Sequence, residues 1–220
     1  HFVEGAGQRN QQDWLQAVPD GAEVSIYIHI PFCKRLCWFC ACRTQGTKTM
    51  RPVDAYVTIL CKEIMAVRRS LPDSVNMSRL HLGGGTPTIL SPETMTQLLR
   101  CVFAAFTPAP DFEFSVEIDP TEAAPDLLQT LSDVCLTRAS LGVQDVSENV
   151  QQAIGRPQTL EQTQTVIRFL REQNVSSLNL DVLYGLPHQT LESFTRTLAH
   201  VLALQPDRLA IYGYAHVPWM

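Results

Sequence analysis

Four of the chain's cysteines fall in one ten-residue run, Cys33-Lys-Arg-Leu-Cys37-Trp-Phe-Cys40-Ala-Cys42, directly after an apolar stretch that reads as a strand. Thiolates are soft ligands, suited to zinc or to an iron–sulfur cluster. Cys33, Cys37 and Cys40 make a CxxxCxxC pattern. That supplies three ligands where either site normally takes four, and an open fourth position points to catalysis. The competing reading is structural zinc, with Cys42 or His29 closing a tetrahedron. A disulfide is disfavoured because no signal peptide or transmembrane run is visible. The other cysteines, Cys61, Cys101 and Cys135, sit singly in apolar stretches and read as core residues.

Other polar groups recur where further strands should end. Gly83-Gly84-Gly85-Thr86-Pro87 follows a second apolar run, and its missing side chains would let backbone amides approach a ligand; a tight turn is the alternative. Glu117 ends a third run, and a buried carboxylate there needs a partner. Gln144-Asp145 ends a fourth run, and Asn179 and Asp181 lie in a fifth before Gly185-Leu186-Pro187. Tyr27 and His29 occupy alternate positions of the first run, so both face the cysteines or both face outer helices.

The elements that must position these groups alternate between strand-like and helix-like periods, as in repeated βα units around a parallel sheet. Strands are expected at Val24 to Ile30, Ser78 to Leu82, Phe112 to Ile118, Arg138 to Gln144, Leu178 to Tyr184 and Arg208 to Tyr214. Their apolar content suggests burial on both faces. Tyr56, Leu60, Ile64 and Val67 have helical spacing, as do Leu98, Leu99, Val102 and Phe106 behind a Ser91-Pro92 start. Further helices are expected from Leu160 to Gln173 and from Leu191 to Leu204, the former after a short Ser147 to Ile154 segment. The expected fold is therefore α/β, a partial (βα)6 TIM-like barrel over 24–220 behind a lead-in segment of 1–23. Its chemistry belongs at the carboxyl ends of the strands. With 220 residues and 45% hydrophobic content the chain can bury one sizeable core. It opens on His1 and stops at Trp219-Met220, which reads as a piece of a longer protein.

Taken in order, several segments resemble one family. Cys33, Cys37 and Cys40 are similar to the radical S-adenosylmethionine signature, and Gly83 to Pro87 to that superfamily's GGGTP turn. Within it the chain most resembles the oxygen-independent coproporphyrinogen III oxidases (coproporphyrinogen dehydrogenases). The matching segments are Tyr27-Ile28-His29-Ile30-Pro31-Phe32, the CxFCxC ending in Cys42, Ser140 to Asp145, Asp181 to Pro187, and Tyr214-Ala215-His216-Val217-Pro218. The resemblance implies a 4Fe-4S cluster held by Cys33, Cys37 and Cys40, with Phe32, Trp38 and Phe39 keeping water away. It also implies a 5'-deoxyadenosyl radical that drives oxidative decarboxylation of coproporphyrinogen III to protoporphyrinogen IX in heme biosynthesis. Two S-adenosyl-L-methionine molecules are implied. Tyr27, Gly84 and Glu117 would touch the first; Phe39, Gly85, Thr86, Gln144, Arg156, Asp181 and Ala215 would line the second. For Arg156 the alternative is a solvated helix end. Cys42 and His29 are the candidate catalytic residues, Cys42 as an exposed functional thiol with thiolate character. Val146 and Gly213 depart from the family's usual aromatic and Asn.

The resemblance further implies a porphyrinogen substrate, a reducing donor such as flavodoxin or ferredoxin, an unidentified electron acceptor and a monomer. Related alternatives are a heme-binding chaperone and an anaerobic heme-degrading radical methyltransferase. Net charge −5 and pI near 5.7 argue against a nucleic-acid partner held by phosphate neutralisation. No anchor is visible, so a cytoplasmic location without membrane contact is the expectation. Lys34, Arg35, Arg43 and Lys48 flank the cysteines and are candidates for the substrate's carboxylates, with a solvated loop as the alternative.

Overall fold

A computed structural model describes residues 7–216. In chain order its elements are α1 (Gln8–Gln16), β1 (Glu23–Ile30), the short β2 (Phe32–Cys33) and β3 (Gln45–Gly46), α2 (Arg51–Arg69), β4 (Asn76–Gly84), a single 3-10 turn (Pro87–Ile89), α3 (Pro92–Ala105), β5 (Pro108–Ile118), α4 (Pro125–Asp133), β6 (Arg138–Gln144), α5 (Glu148–Ala153), α6 (Leu160–Glu172), β7 (Ser177–Tyr184), α7 (Leu191–Ala203) and β8 (Arg208–Gly213). The six long strands form one sheet in the order β1-β4-β5-β6-β7-β8, every pair parallel. This is the expected partial barrel. All six expected strands are present with ends moved by a few residues, while α1 and α4 went unread.

Local chemistry accounts for the helices that matter here. In α2 the buried residues Val53, Val57, Leu60 and Ile64 recur at steps of three and four, and Arg68 and Arg69 sit at the carboxyl end where the helix dipole favours cations. Helix α3 starts at Ser91, whose hydroxyl accepts from the Thr94 N–H at 3.2 Å, with Pro92 in the first helical position. Thr159 and Thr190 cap α6 and α7 in the same way.

The strands differ from expectation in one respect. They are apolar on one face only. Ile28, Ile30, Leu80, Leu82, Phe114, Val116, Leu141, Leu180 and Val182 pack against the helices in a single core. The alternate positions, including Tyr27, His29, His81, Glu117, Ser140, Asn179 and Asp181, project onto the concave side. Strand-level composition conceals this, because the apolar positions are large and the polar ones are few per strand.

Candidate active site

The loop carrying the cysteines leaves β1 and is closed at its base by β2 and β3, where the Gln45 N–H donates to Pro31 O at 2.9 Å and the Thr47 N–H to Cys33 O at 2.9 Å. Cys33 is buried, Cys37 and Cys40 are half-buried and Cys42 is exposed. A turn holds the last ligands, with the Cys40 N–H donating to Cys37 O at 3.2 Å. The Trp38 N–H donates to Ile154 O at 3.0 Å and so ties the loop to the segment after α5. Trp38 itself is 82% exposed, so its expected role in shielding the cluster is not supported; Phe32 is buried and Phe39 half-buried.

The glycine turn fits against this loop. Gly84 has φ +114°, a conformation that side-chain-bearing residues avoid, and a Cβ on Gly85 would lie 2.7 Å from Phe32 O and 3.0 Å from Cys33 Sγ. The Gly85 N–H donates to Ile30 O at 2.8 Å and the Thr86 N–H to Phe32 O at 2.9 Å, while the Thr86 hydroxyl reaches Cys33 Sγ at 3.4 Å. The turn therefore packs its backbone directly against the cysteine loop.

One cavity of ≈ 500 Å³ brings together Cys33, Cys37, Cys40, Cys42, Phe39, Gly84, Gly85, Thr86, Glu117, Gln144, Arg156 and Asp181. A second, of ≈ 590 Å³, shares Phe39, Cys40, Cys42, Gln144 and Asp181 and extends to Ala215. Of the sequence-predicted site residues, only Tyr27 and His29 line neither. Both face the concave side, which decides between the two readings of their spacing. The Tyr27 hydroxyl lies 3.0 Å from His29 Nδ1, and His29 Nε2 lies 2.8 Å from Arg43 O. A carbonyl can only accept, so Nε2 carries a proton, and a neutral ring then accepts from Tyr27 at Nδ1. Tyr27 stacks on His81 with centroids 5.6 Å apart, and burial followed by the Glu117 charge pushes its phenol above the usual 10.

Glu117 corrects a sequence expectation. Its side chain is 42% exposed rather than buried, and it accepts from the Gly84 N–H at 3.1 Å and lies 3.3 Å from His81 Nε2. Arg156 is buried, which removes the alternative of a solvated helix end. It pairs with Asp119 at 3.1 Å, donates to Gly142 O at 3.2 Å and reaches Cys37 Sγ at 3.6 Å. Arg35 shares Asp119 at 3.4 Å and donates to Pro157 O at 3.1 Å, so it is committed to this network. Lys34 pairs with Glu122. Sequence reading missed Asp119 and His81 as site residues; for His81 the signal was its alternate position in a strand beside β1.

The thiols have unequal environments. Burial pushes Cys33 up from 9.0. Cys40 is lowered to about 6, first by a hydrogen bond from the Cys42 side chain and also by the Cys42 N–H, 3.4 Å away, and by the Arg156 charge. Cys42 is correspondingly raised, first by its bond to Cys40, a direction opposite to the thiolate character expected for it. Asp181 is raised above 3.8 by burial, against hydrogen bonds from Ser140 at 3.0 Å and Asn179 at 2.6 Å.

Among the described residues, no three His, Cys, Asp or Glu side chains converge on a single-ion site. A cluster of several irons spreads its thiolates around a larger body than a single ion does. The residues present fit such a group with an attached ligand. Three thiols share a cavity with a side-chain-free turn, and Arg156 Nε is buried with no hydrogen-bond partner.

The chain belongs to the Radical SAM superfamily, whose family model matches residues 27–201. The cofactors are those of that family, a 4Fe-4S cluster and S-adenosyl-L-methionine. The chain is 50% identical over 219 residues to the anaerobic coproporphyrinogen III oxidase 1 of Cereibacter sphaeroides, covering 100% of this chain and 48% of that protein. It is 48% identical over 220 residues to the oxygen-independent coproporphyrinogen III oxidase of Paracoccus denitrificans, covering 100% and 49%. The solved coproporphyrinogen III oxidase HemN of Escherichia coli, described as a radical SAM enzyme, superposes with TM-score 0.94 at 36% identity, covering 100% of this chain and 50% of that one. The radical S-adenosylmethionine methyltransferase TsrM of Kitasatospora setae shares the fold at TM-score 0.58 and 16% identity, covering 96% and 39%. The chain spans about half the length of the curated relatives it matches. Among the described residues, no helix is long and apolar enough to cross a membrane.

Proposed function

We propose that this chain is the radical-generating half of an oxygen-independent coproporphyrinogen III oxidase, which decarboxylates two propionates of coproporphyrinogen III to give protoporphyrinogen IX in heme biosynthesis. The single observation that carries the reading is the cavity where the CxxxCxxC thiols meet the glycine turn, Glu117, Gln144, Arg156 and Asp181. The relatives' names supply the substrate. Residues 24–220 act as one core behind the lead-in, in the cytoplasm, served by a flavodoxin- or ferredoxin-type donor.

In this reading Cys33, Cys37 and Cys40 hold the cluster. When bound, the cluster and S-adenosyl-L-methionine supply one-electron chemistry that removes a hydrogen from the substrate. The chain's own groups orient and shield. Thr86 and Arg156 donate to the sulfurs of Cys33 and Cys37 and so fix where those sulfurs lie. Glu117 offers its carboxylate to hydroxyl or amino groups of the first S-adenosyl-L-methionine, beside Tyr27 and Gly84. The adjoining cavity, from Phe39 and Gln144 to Ala215, takes the second. His29 holds Arg43 O and so positions the cysteine loop; the Cys42 backbone N–H holds the Cys40 sulfur, and the Cys42 side chain lies in the same cavity.

The test is anaerobic reconstitution of the full-length protein with iron and sulfide, followed by reduction with S-adenosyl-L-methionine and assay of 5'-deoxyadenosine and of the vinyl product. The expected result is both products from wild type and neither from Cys37→Ala. A folded sample that retains zinc and holds no iron overturns the radical reading; 5'-deoxyadenosine without decarboxylation overturns the substrate.

A further inference from the structure

Cys61 and Cys101, read from sequence as isolated core cysteines, are brought together by the fold. Cys61 lies on α2 and Cys101 on α3, and the Cys101 thiol donates to the Cys61 carbonyl at 3.4 Å across 40 residues of chain. Both cysteines open on the same groove. Both are free and partly exposed. They line a shallow groove of ≈ 530 Å³ on the outer surface with Lys62, Met65 and Arg69. Lys62 and Arg69 are exposed, and neither enters an ion pair among the described residues. A pair of core cysteines that merely fills space between helices needs neither the opening nor the cations.

We propose that Cys61 and Cys101 form a dithiol site that exchanges with an anionic low-molecular-weight disulfide and closes as a bond between α2 and α3. The first attack is assigned to Cys101, whose sulfur reaches across from α3 to the Cys61 carbonyl on α2. The Cys101 thiolate attacks one sulfur of the small disulfide, breaking its S–S bond and releasing one small thiolate. Cys61 then attacks the Cys101 sulfur and releases the second. The two protein thiols lose two protons and two electrons, and the small disulfide takes them up as two thiols. Lys62 and Arg69 would hold the carboxylates of the incoming molecule beside the sulfurs.

The bond would join the two helices that follow the loops lining the candidate site. Helix α2 follows the cysteine loop, and its Tyr56 hydroxyl donates to His29 O at 2.6 Å; α3 follows the glycine turn. The site is independent of the substrate assigned above, and its test does not use activity.

The experiment incubates the full-length, cluster-loaded protein anaerobically in glutathione disulfide and glutathione at increasing ratio, then alkylates, digests and maps peptides by mass spectrometry. A Cys61–Cys101 linked peptide that rises with the ratio, absent from Cys101→Ser, is the expected result. Lys62→Gln with Arg69→Gln should slow its formation by about three- to tenfold with glutathione disulfide, and by less than about twofold with uncharged hydroxyethyl disulfide. Two alkylated thiols at full oxidation, or stable separate glutathione adducts on either cysteine, overturn the dithiol site. Equal slowing with both disulfides, or with neither, overturns the role of the cations.

Discussion

The two faces of the six-stranded sheet solve different problems with the same strands. Toward the helices, Leu80, Leu82, Phe114, Val116, Leu141 and Leu180 are buried and make one continuous apolar core. Toward the concave side, Tyr27 stacks on His81, and His81, Glu117, Ser140, Asn179 and Asp181 make hydrogen bonds among themselves and with the glycine turn. Burial of apolar area stabilises in proportion to area and is indifferent to small angular error. A hydrogen-bonded network is directional, and a single broken partner leaves a desolvated group behind. Hence the convex face fixes where the strands lie, and the concave face uses that rigidity to fix where donors and acceptors point.

Substitutions should separate the faces. Phe114→Ala empties a fully buried position and should cost about 3–5 kcal/mol in denaturant unfolding of the full-length protein. Unchanged stability would contradict a continuous core. Asp119→Asn keeps the volume but removes the charge that Arg35 and Arg156 share, with the Asp119 and Arg156 side chains only 11% and 10% exposed. A loss of about 1.5–3 kcal/mol is expected, together with weaker iron retention in reconstitution, because Arg156 no longer has a fixed position beside Cys37. Stability lost without any change in iron retention would detach this network from the cluster.

The same contrast explains what could be read from sequence. Apolar runs mark strands, so all six appeared in order, and Ser91-Pro92 marked a helix start through chemistry confined to four residues. The CxxxCxxC and glycine patterns were legible because their spacing is local. By contrast, α1 carries mostly polar residues with Trp14 exposed, and α4 is short, so neither presents a clear periodic stripe. Arg35 and Asp119 meet across 84 residues, and only the register of β1, β4 and β5 brings them together. The pairing of Cys61 with Cys101 was hidden for the same reason. The Val217-Pro218 end of one family-like segment lies outside the described residues.

A smaller effect tests the polar face alone. The Ser140 hydroxyl donates to Asp181 at 3.0 Å and accepts from the Asn179 amide at 2.8 Å. Ser140→Ala should cost about 1 kcal/mol near neutrality. Its bond favours the charged carboxylate, while burial raises Asp181 above 3.8. A raised acid contributes stability that is present below 3.8 and lost as pH rises through its folded value. The gap between Ser140→Ala and wild type should therefore be small where Asp181 is protonated and widen as pH rises. A gap independent of pH would mean that the hydroxyl acts through packing.

The smallest expected effect lies at the sheet's far edge, where Asp207 accepts from the Leu178 N–H at 2.8 Å and pairs with Arg171 at 2.7 Å, joining β8's approach to β7. The Leu178 N–H, then Arg171, hold this carboxyl below 3.8. A depressed acid contributes stability that is present above 3.8 and lost as pH falls through its folded value. The side chain is 42% exposed, so solvent screening limits Asp207→Ala to about 0.5 kcal/mol at neutral pH, vanishing in acid. Because β8 pairs with β7 alone among the described residues, that loss should be confined to it. Amide exchange should quicken at Leu209 and Ile211 while Leu80 and Val116, in the interior strands, stay protected; acceleration throughout the sheet would show that the edge is coupled to the core rather than frayed independently.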